Sequence, residues 1–348
     1  MSTIPVGILG ATGMVGQQFI ALLANHPWFR VEWIGASERS QGKTYREACA
    51  WRLPAPLPDR VATMKVEATA PGLAPKLMFS GLDSSVATDI EAAFARAGHT
   101  VVSNARNYRM HATVPLLIPE INADHLGLLP AQRRALGWEG AIVTNPNCAV
   151  VVLAMALAPL RQFGLDLATI TTMQAISGAG YPGVPSWDIL ANVIPHIGGG
   201  EEEKVEKEGP KILGALQGGA VIDHPCRISA TTTRVPVHNG HTGSIAVSLK
   251  QKPPLEAVVD AWQSFRGRPQ ALGLPTSPPQ PVVHLPEVNR PQPALDAARD
   301  GGMTVTVGRL RECPVLGYKF VALGHNTIRG AAGAAILNAE LMREEGLL

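Results

Sequence analysis

An apolar run, Val6 to Leu9, ends in Gly10-Ala11-Thr12-Gly13-Met14-Val15-Gly16, and Val15, Phe19, Leu22 and Leu23 then recur at helical spacing. Glycines three apart at a strand-to-helix turn let the backbone approach a pyrophosphate. The helix start adds unpaired N–H groups and the positive end of a dipole. A chain that opens this way is committed to a parallel sheet with helices on both faces. Later segments keep the alternation: 31–35, 77–80, 100–103 and 141–144 read as strands, and Val86, Ile90, Ala93 and Phe94 mark a helix among them. Gly10, Thr12, Gly13, Met14 and Val15 are the candidate cofactor cradle, with Ser80 at a later strand end beside them. The second strand runs into Ala36-Ser37-Glu38-Arg39-Ser40. An NAD site places a carboxylate there for the ribose 2′-hydroxyl, whereas Ser37, Arg39 and Ser40 suit a 2′-phosphate and favour NADP. Glu38 in the same turn leaves NAD open.

The second half changes character. Segments 168–177, 226–237, 240–250, 302–312 and 319–323 read as strands, several of them long, and Ile245, Val247 and Leu249 alternate with Ala246 and Ser248. Such alternation fits a mostly antiparallel or mixed sheet with one packed face. Eight prolines from Pro269 to Pro293 suggest an extended arm or long loop. The Ala-rich tail from Thr327 to Met342 reads as a terminal helix. The expected architecture is a doubly wound α/β domain followed by an α+β domain.

At 348 residues the chain is long enough for two domains, and its net charge of +2 with no basic block gives no reason to expect nucleic acid as a partner. The longest apolar run, Cys148 to Leu160, is shorter than the ~18 residues a membrane span requires. The first ten residues lack a signal-peptide layout, and none of the four cysteines pairs with another at metal-ligand spacing. A cytoplasmic protein with reduced thiols and no metal is expected.

The segment 141–144 leads into Asn145-Pro146-Asn147-Cys148 and an apolar helix beginning Ala149-Val150-Val151. A cysteine at a helix N-terminus is favoured as thiolate, the nucleophilic form, and Asn147 can donate to an oxyanion. Cys49, Cys226 and Cys313 lack this setting and read as packing residues. A thiolate attacking a carbonyl needs an acid or base. Arg234-Val235-Pro236-Val237-His238-Asn239-Gly240-His241 offers two histidines between two strands, and pattern alone does not separate His238 from His241.

These pieces together resemble a family. Asn-Pro-Asn-Cys at 145–148 is followed by Gln174-Ala175-Ile176-Ser177-Gly178-Ala179-Gly180-Tyr181-Pro182-Gly183. With Asn192-Val193-Ile194-Pro195, Gly198-Gly199-Gly200-Glu201-Glu202-Glu203-Lys204 and Arg290-Pro291-Gln292-Pro293, the chain resembles the archaeal and fungal branch of the aspartate-semialdehyde dehydrogenases. The resemblance runs from Gly10 to Asn326-Thr327-Ile328-Arg329-Gly330 and beyond. Asn147-Cys148-Ala149-Val150 departs from the family's Asn-Cys-Ser/Thr-Thr form.

The resemblance implies that Cys148 is the nucleophile, Asn147 lies beside it, and Gln174 orients the reacting groups. It implies His241 as acid/base, because the substrate-binding arginine, here Arg234, precedes it by seven positions. Arg234 would hold the substrate α-carboxylate and Glu201 the α-ammonium, although the three adjacent glutamates leave Glu202 open. Lys204 and Arg109 would hold phosphate, and Ser177, Gly178 and Asn326 would line the nicotinamide side. The implied reaction is NADPH-dependent conversion of L-aspartyl-4-phosphate to L-aspartate 4-semialdehyde through a cysteine thioester, a step toward lysine, threonine, methionine and isoleucine. The implied second domain is like that of glyceraldehyde-3-phosphate dehydrogenase and forms a homodimer or homotetramer interface. Residues 1–146 with 328–348 would form the NADP domain, and 147–327 the catalytic and dimerisation domain. The rivals are a malonyl- or succinyl-CoA reductase on the same frame, which would need no phosphate cations, and a non-catalytic NADP-sensing module. N-acetyl-glutamyl-phosphate reductases carry a Gly-Cys-Tyr-Pro-Thr form that this chain lacks.

Overall fold

The computed structural model describes residues 3–348; the first two residues assigned to the NADP domain lie outside them. The first unit contains β1 (Ile4–Leu9), α1 (Met14–Leu23), β2 (Phe29–Gly35), β3 (Leu77–Ser80), α2 (Ser84–Arg96), β4 (Thr100–Ser103) and β5 (Ala141–Thr144). The strands form one parallel sheet in the order β2-β1-β3-β4-β5. β3, β4 and β5 are buried along their whole length, which explains their unbroken apolar character.

The turn after β1 depends on glycine. Gly10 has φ +72°, and a Cβ on it would lie 2.7 Å from the Gly81 carbonyl oxygen. A Cβ on Gly16 would lie 2.4 Å from the Gly10 oxygen, so α1 could not pack as closely on the strand turn. Gly13 caps α1 without a side-chain bond to its first-turn amides.

The second unit begins with α3 (Cys148–Leu157), whose residues from Ala149 to Leu157 are all buried. A helix apolar all round belongs inside a core, and α3 packs in one cluster with Ile170, Ile245, Val307 and Phe320. Then come β6 (Leu165–Gln174), α4 (Glu201–Leu213), β7 (Arg227–Arg234), β8 (His241–Leu249), β9 (Val282–Leu285), β10 (Val305–Cys313) and β11 (Gly317–Gly324). They form a mixed six-stranded sheet in the order β9-β10-β11-β8-β6-β7. The pairs of β8 with β6 and β11, and of β10 with β11, are antiparallel; the two outer pairs are parallel.

Three expectations change. The proline-rich arm contains a strand: Val282, Val283 and Leu285 pair with β10 at the sheet edge, where prolines at 281 and 286 cost no interior ladder bond. The strand expected over 168–177 ends at Gln174, because Ile176–Ala179 coils into a 3₁₀ turn that faces the site. The strand expected from Gly302 begins at Val305, since Arg299–Gly302 is a turn with two positive-φ glycines.

The tail passes through a π-turn at Ile328–Ala332 into α5 (Gly333–Glu344). Ala332, Ala335, Ile336 and Ala339 join Val6, Ile8, Phe19 and Ile20 in the core of the first unit. Among the described residues no helix is long and apolar enough to cross a membrane, and no cluster of metal-ligating side chains is present.

Candidate active site

β5 and the turn after it deliver Cys148 to a cleft of about 380 Å³ between the two units. Cys148, Arg109, Asn147, Ser177, Gly178, Glu201, Lys204, Arg234 and Asn326 all line it. Asn147 caps α3: its Oδ1 accepts the amides of Ala149 at 2.8 Å and Val150 at 3.3 Å. Gly330 packs so closely on Cys148 that an added Cβ would lie 2.6 Å from the Cys148 Cβ.

His241, the first residue of β8, puts Nε2 3.1 Å from the Cys148 Sγ. The Ala175 amide donates to its Nδ1 at 3.1 Å, so the proton of the neutral ring sits on Nε2, facing the sulfur. Burial, reinforced by Arg234, pushes His241 down to about 3. His238 is exposed and lines a neighbouring cavity, which separates the two histidines.

The sequence led us to expect a thiolate. Burial pushes the Cys148 thiol up to about 12, and the nearby Glu201 charge adds to the rise. Arg109, Arg234 and the Ala149 amide pull the other way and do not win. Cys148 keeps part of its surface open to the cleft although protein surrounds it, and the helix start alone does not ionise it.

Glu201 opens α4. Its Oε1 accepts from Asn147 Nδ2 at 2.7 Å and Gln174 Nε2 at 3.3 Å, and its Oε2 from Lys204 Nζ at 3.0 Å. Burial raises this carboxyl, but the charge of Lys204 and the hydrogen bonds from Asn147, Lys204 and Gln174 outweigh it and hold Glu201 below the usual range. Glu202 instead accepts the Thr232 amide at 2.9 Å, so Glu201 is the glutamate of the run that faces the site. Asn147 thus has both ends of its amide engaged, one on the helix and one on Glu201, and of its two Nδ2 hydrogens one is taken by Glu201. Arg234 donates to the Ala175 carbonyl at 2.8 Å from beside the cleft. A Cβ on Gly178 would lie 2.8 Å from Arg234 Nη1 and 2.9 Å from His241 Cε1. Asn326 Nδ2 donates to Ser177 Oγ at 2.8 Å, joining two residues far apart in sequence.

The cleft continues into a groove of about 690 Å³ lined by Gly10, Thr12, Gly13, Met14, Val15 and Ser37. A groove this size beside an uncapped helix start and a glycine cradle fits a dinucleotide. The two ends of the family signature agree with this geometry. The semialdehyde dehydrogenase NAD binding domain family matches residues 5–129, and the semialdehyde dehydrogenase dimerisation domain family matches residues 157–329. An aspartate-semialdehyde dehydrogenase of Archaeoglobus fulgidus is 47% identical over 344 residues, covering 99% of each chain. The chain belongs to the aspartate-semialdehyde dehydrogenase family. The aspartate-semialdehyde dehydrogenase of Cryptococcus neoformans is 48% identical, covering 99% of this chain and 98% of its own. The crystal structure of the Candida albicans aspartate-semialdehyde dehydrogenase with NADP superposes with a TM-score of 0.92 at 40% identity, covering 99% of this chain and 100% of that one.

Within this aspartate-semialdehyde dehydrogenase frame, some expected contacts fall elsewhere. Ser80 is fully buried and donates to Glu91 at 2.6 Å, so its hydroxyl does not face the groove. Ser40 is buried with its amide on the Ser37 carbonyl, and Arg39 is exposed on the same turn; of the three, Ser37 lines the groove. Arg52, not singled out in the sequence, also lines it and stacks 3.8 Å over the Tyr181 ring. Cys226 and Cys49 are buried as expected, Cys49 in the core of the first unit at the edge of the groove, whereas Cys313 lies partly exposed at a hairpin end. Sequence reading also missed Glu208 and Lys211, whose only signal was their spacing from Glu201 along α4.

Proposed function

We propose that this chain catalyses the reversible, NADPH-dependent reduction of L-aspartyl-4-phosphate to L-aspartate 4-semialdehyde with release of phosphate, in the aspartate-family amino-acid pathway. The carrying observation is the Cys148–His241 pair at 3.1 Å, set between a glycine-lined groove and a cluster of charged side chains.

Cys148 Sγ attacks the acyl carbon, the carbon–oxygen bond to phosphate breaks, the thiol proton leaves with the phosphate, and a thioester forms on this cysteine. Arg109 and Lys204 offset the charge of the departing phosphate. Arg234 takes the α-carboxylate, and Glu201, held as carboxylate by its donors, takes the α-ammonium. Asn147 and Gln174 fix the orientation of Glu201. His241 presents its Nε2–H to the carbonyl oxygen as charge develops there, and acts as the acid when that oxygen needs a proton. NADPH, when bound, supplies the hydride that takes the acyl carbon to the aldehyde level. Breaking the carbon–sulfur bond then re-forms the carbonyl, and the hydroxyl proton passes to Sγ, which returns as the thiol.

Gly10, Thr12, Gly13, Met14 and Val15 would hold the cofactor pyrophosphate, Ser37 with Arg39 its 2′-phosphate, and Ser177, Gly178 and Asn326 its nicotinamide end. We assign 1–146 with 328–348 to the NADP domain and 147–327 to the catalytic and dimerisation domain, and place a homodimer or homotetramer in the cytoplasm. The test is NADPH formation from L-aspartate 4-semialdehyde, NADP and phosphate, run beside malonyl-CoA reduction and an NAD control. Phosphate-dependent NADPH formation is expected. Turnover of malonyl-CoA alone would overturn the reading.

A further inference from the structure

Along α4, Glu201, Lys204, Glu208 and Lys211 fall at intervals of three, four and three, which places them on one stripe of the helix. The first two line the cleft. The other two lie behind it, buried. Glu208 Oε1 accepts from Arg109 Nη1 at 3.0 Å, and its Oε2 accepts the backbone amide of Asn147 at 2.6 Å. Lys211 Nζ donates to the carbonyls of Arg109 at 2.7 Å, His111 at 3.0 Å and Val114 at 3.2 Å. One helix turn therefore grips two chain segments from opposite sides of the reaction: the one that carries Arg109 and the one that carries Cys148.

Arg109 is held from behind at two points, Glu208 and the Asn104 carbonyl at 2.8 Å. Its buried Nε has no hydrogen-bond partner among the described residues. A guanidinium has five N–H donors in a fixed fork, so two bonds leave donors over for an anion in the cleft. The Asn147 amide is the residue immediately before the nucleophile. A single carboxylate, rigid across its two oxygens, thus spans from the leaving-group cation to the nucleophile's turn.

We propose that Glu208 is a positioning residue that sets the separation between Arg109 and Cys148, so that phosphate departs against Arg109 while Sγ is in line with the acyl carbon. This rests on the reading of Cys148 as nucleophile and Arg109 as phosphate cation. It predicts a phosphate-selective defect. A carboxylate that merely held the fold together would affect every ligand alike.

The experiment uses the full chain with Glu208→Gln, which keeps the shape and one acceptor but loses the charge, and Glu208→Asp, which keeps the charge but shortens the reach. In the oxidative direction, KM for phosphate is expected to rise about tenfold or more, with kcat falling. KM for NADP and for the semialdehyde should stay within about twofold. A second readout needs no turnover: inorganic phosphate should slow iodoacetamide alkylation of Cys148, and both variants should need about tenfold more phosphate for equal protection. An equal change in all three KM values, or unchanged phosphate protection, would overturn the proposal. So would failure of both variants to fold, because Glu208 would then be a packing element. If wild type forms no NADPH with phosphate but phosphate still protects Cys148 and the variants weaken that protection, the functional reading fails and the role of Glu208 stands.

Discussion

At the residue scale, Cys148 and His241 meet as thiol and neutral imidazole, one pushed up to about 12 and the other down to about 3. Glu201 is part of the reason for the first, since its charge opposes a second anion nearby. If Glu201 takes the substrate ammonium as proposed, that opposition would be removed and binding would be coupled to thiol activation. Glu201→Gln should therefore raise the rate of Cys148 alkylation at pH 8 in the ligand-free enzyme while lowering turnover; an unchanged alkylation rate would separate the two groups. His241 makes a second prediction. Its value is 6.5 in a solvated chain and about 3 in the fold, so between those limits only the unfolded chain binds the proton. Stability then falls as pH drops from about 6.5 toward about 3. His241→Asn removes that proton site and should show a shallower loss of urea midpoint between pH 7 and pH 4.5 than the wild type.

At the element scale, the segments that the sequence disclosed are those whose signal is local. The β1 turn and α1 depend on glycines at 10, 13 and 16 and on one apolar stripe, all within a few residues. Cys148 at the head of α3 was legible for the same reason. Glu208 was not, because its role is defined by Arg109 and Asn147, 99 and 61 positions away. β9 was hidden because Pro281 and Pro286 on either side of it read as loop, and the edge position of this short strand makes them compatible with the sheet. Ser80 failed in the opposite sense: it ends a strand as expected, but Glu91 on α2 claims its hydroxyl. The 3₁₀ turn after β6 is held to a tighter limit than its sequence suggests. Gly178→Ala would place a methyl against both Arg234 and His241. A fall in kcat/KM of about 10²-fold with an unchanged urea midpoint is expected, since a shift on the order of 1 Å in reacting groups costs about that much. Wild-type kinetics would show that the turn can give way.

At the scale of the whole molecule, the chain enters the second unit at α3 and returns with α5 to fill the core of the first. The sequence foretold the terminal helix but not its depth: from Gly333 to Met342 every residue is buried. Ile336→Ala should cost about 2–5 kcal/mol of stability, read as a lower urea midpoint, while NADP affinity of the folded fraction stays the same. Loss of NADP binding without loss of stability would mean that α5 serves the cofactor directly. The return also explains why Gly330, at the π-turn leading into α5, can seat against Cys148: the connection between the units passes through the nucleophile's own wall.

In the proposed mechanism the reaction passes through a thioester on Cys148. Its most direct test is phosphate-dependent NADPH formation from L-aspartate 4-semialdehyde by Cys148→Ser, with NADP binding measured on the same sample. A loss of rate by orders of magnitude is expected, with NADP bound as tightly as by the wild type. Turnover retained in that variant would contradict it.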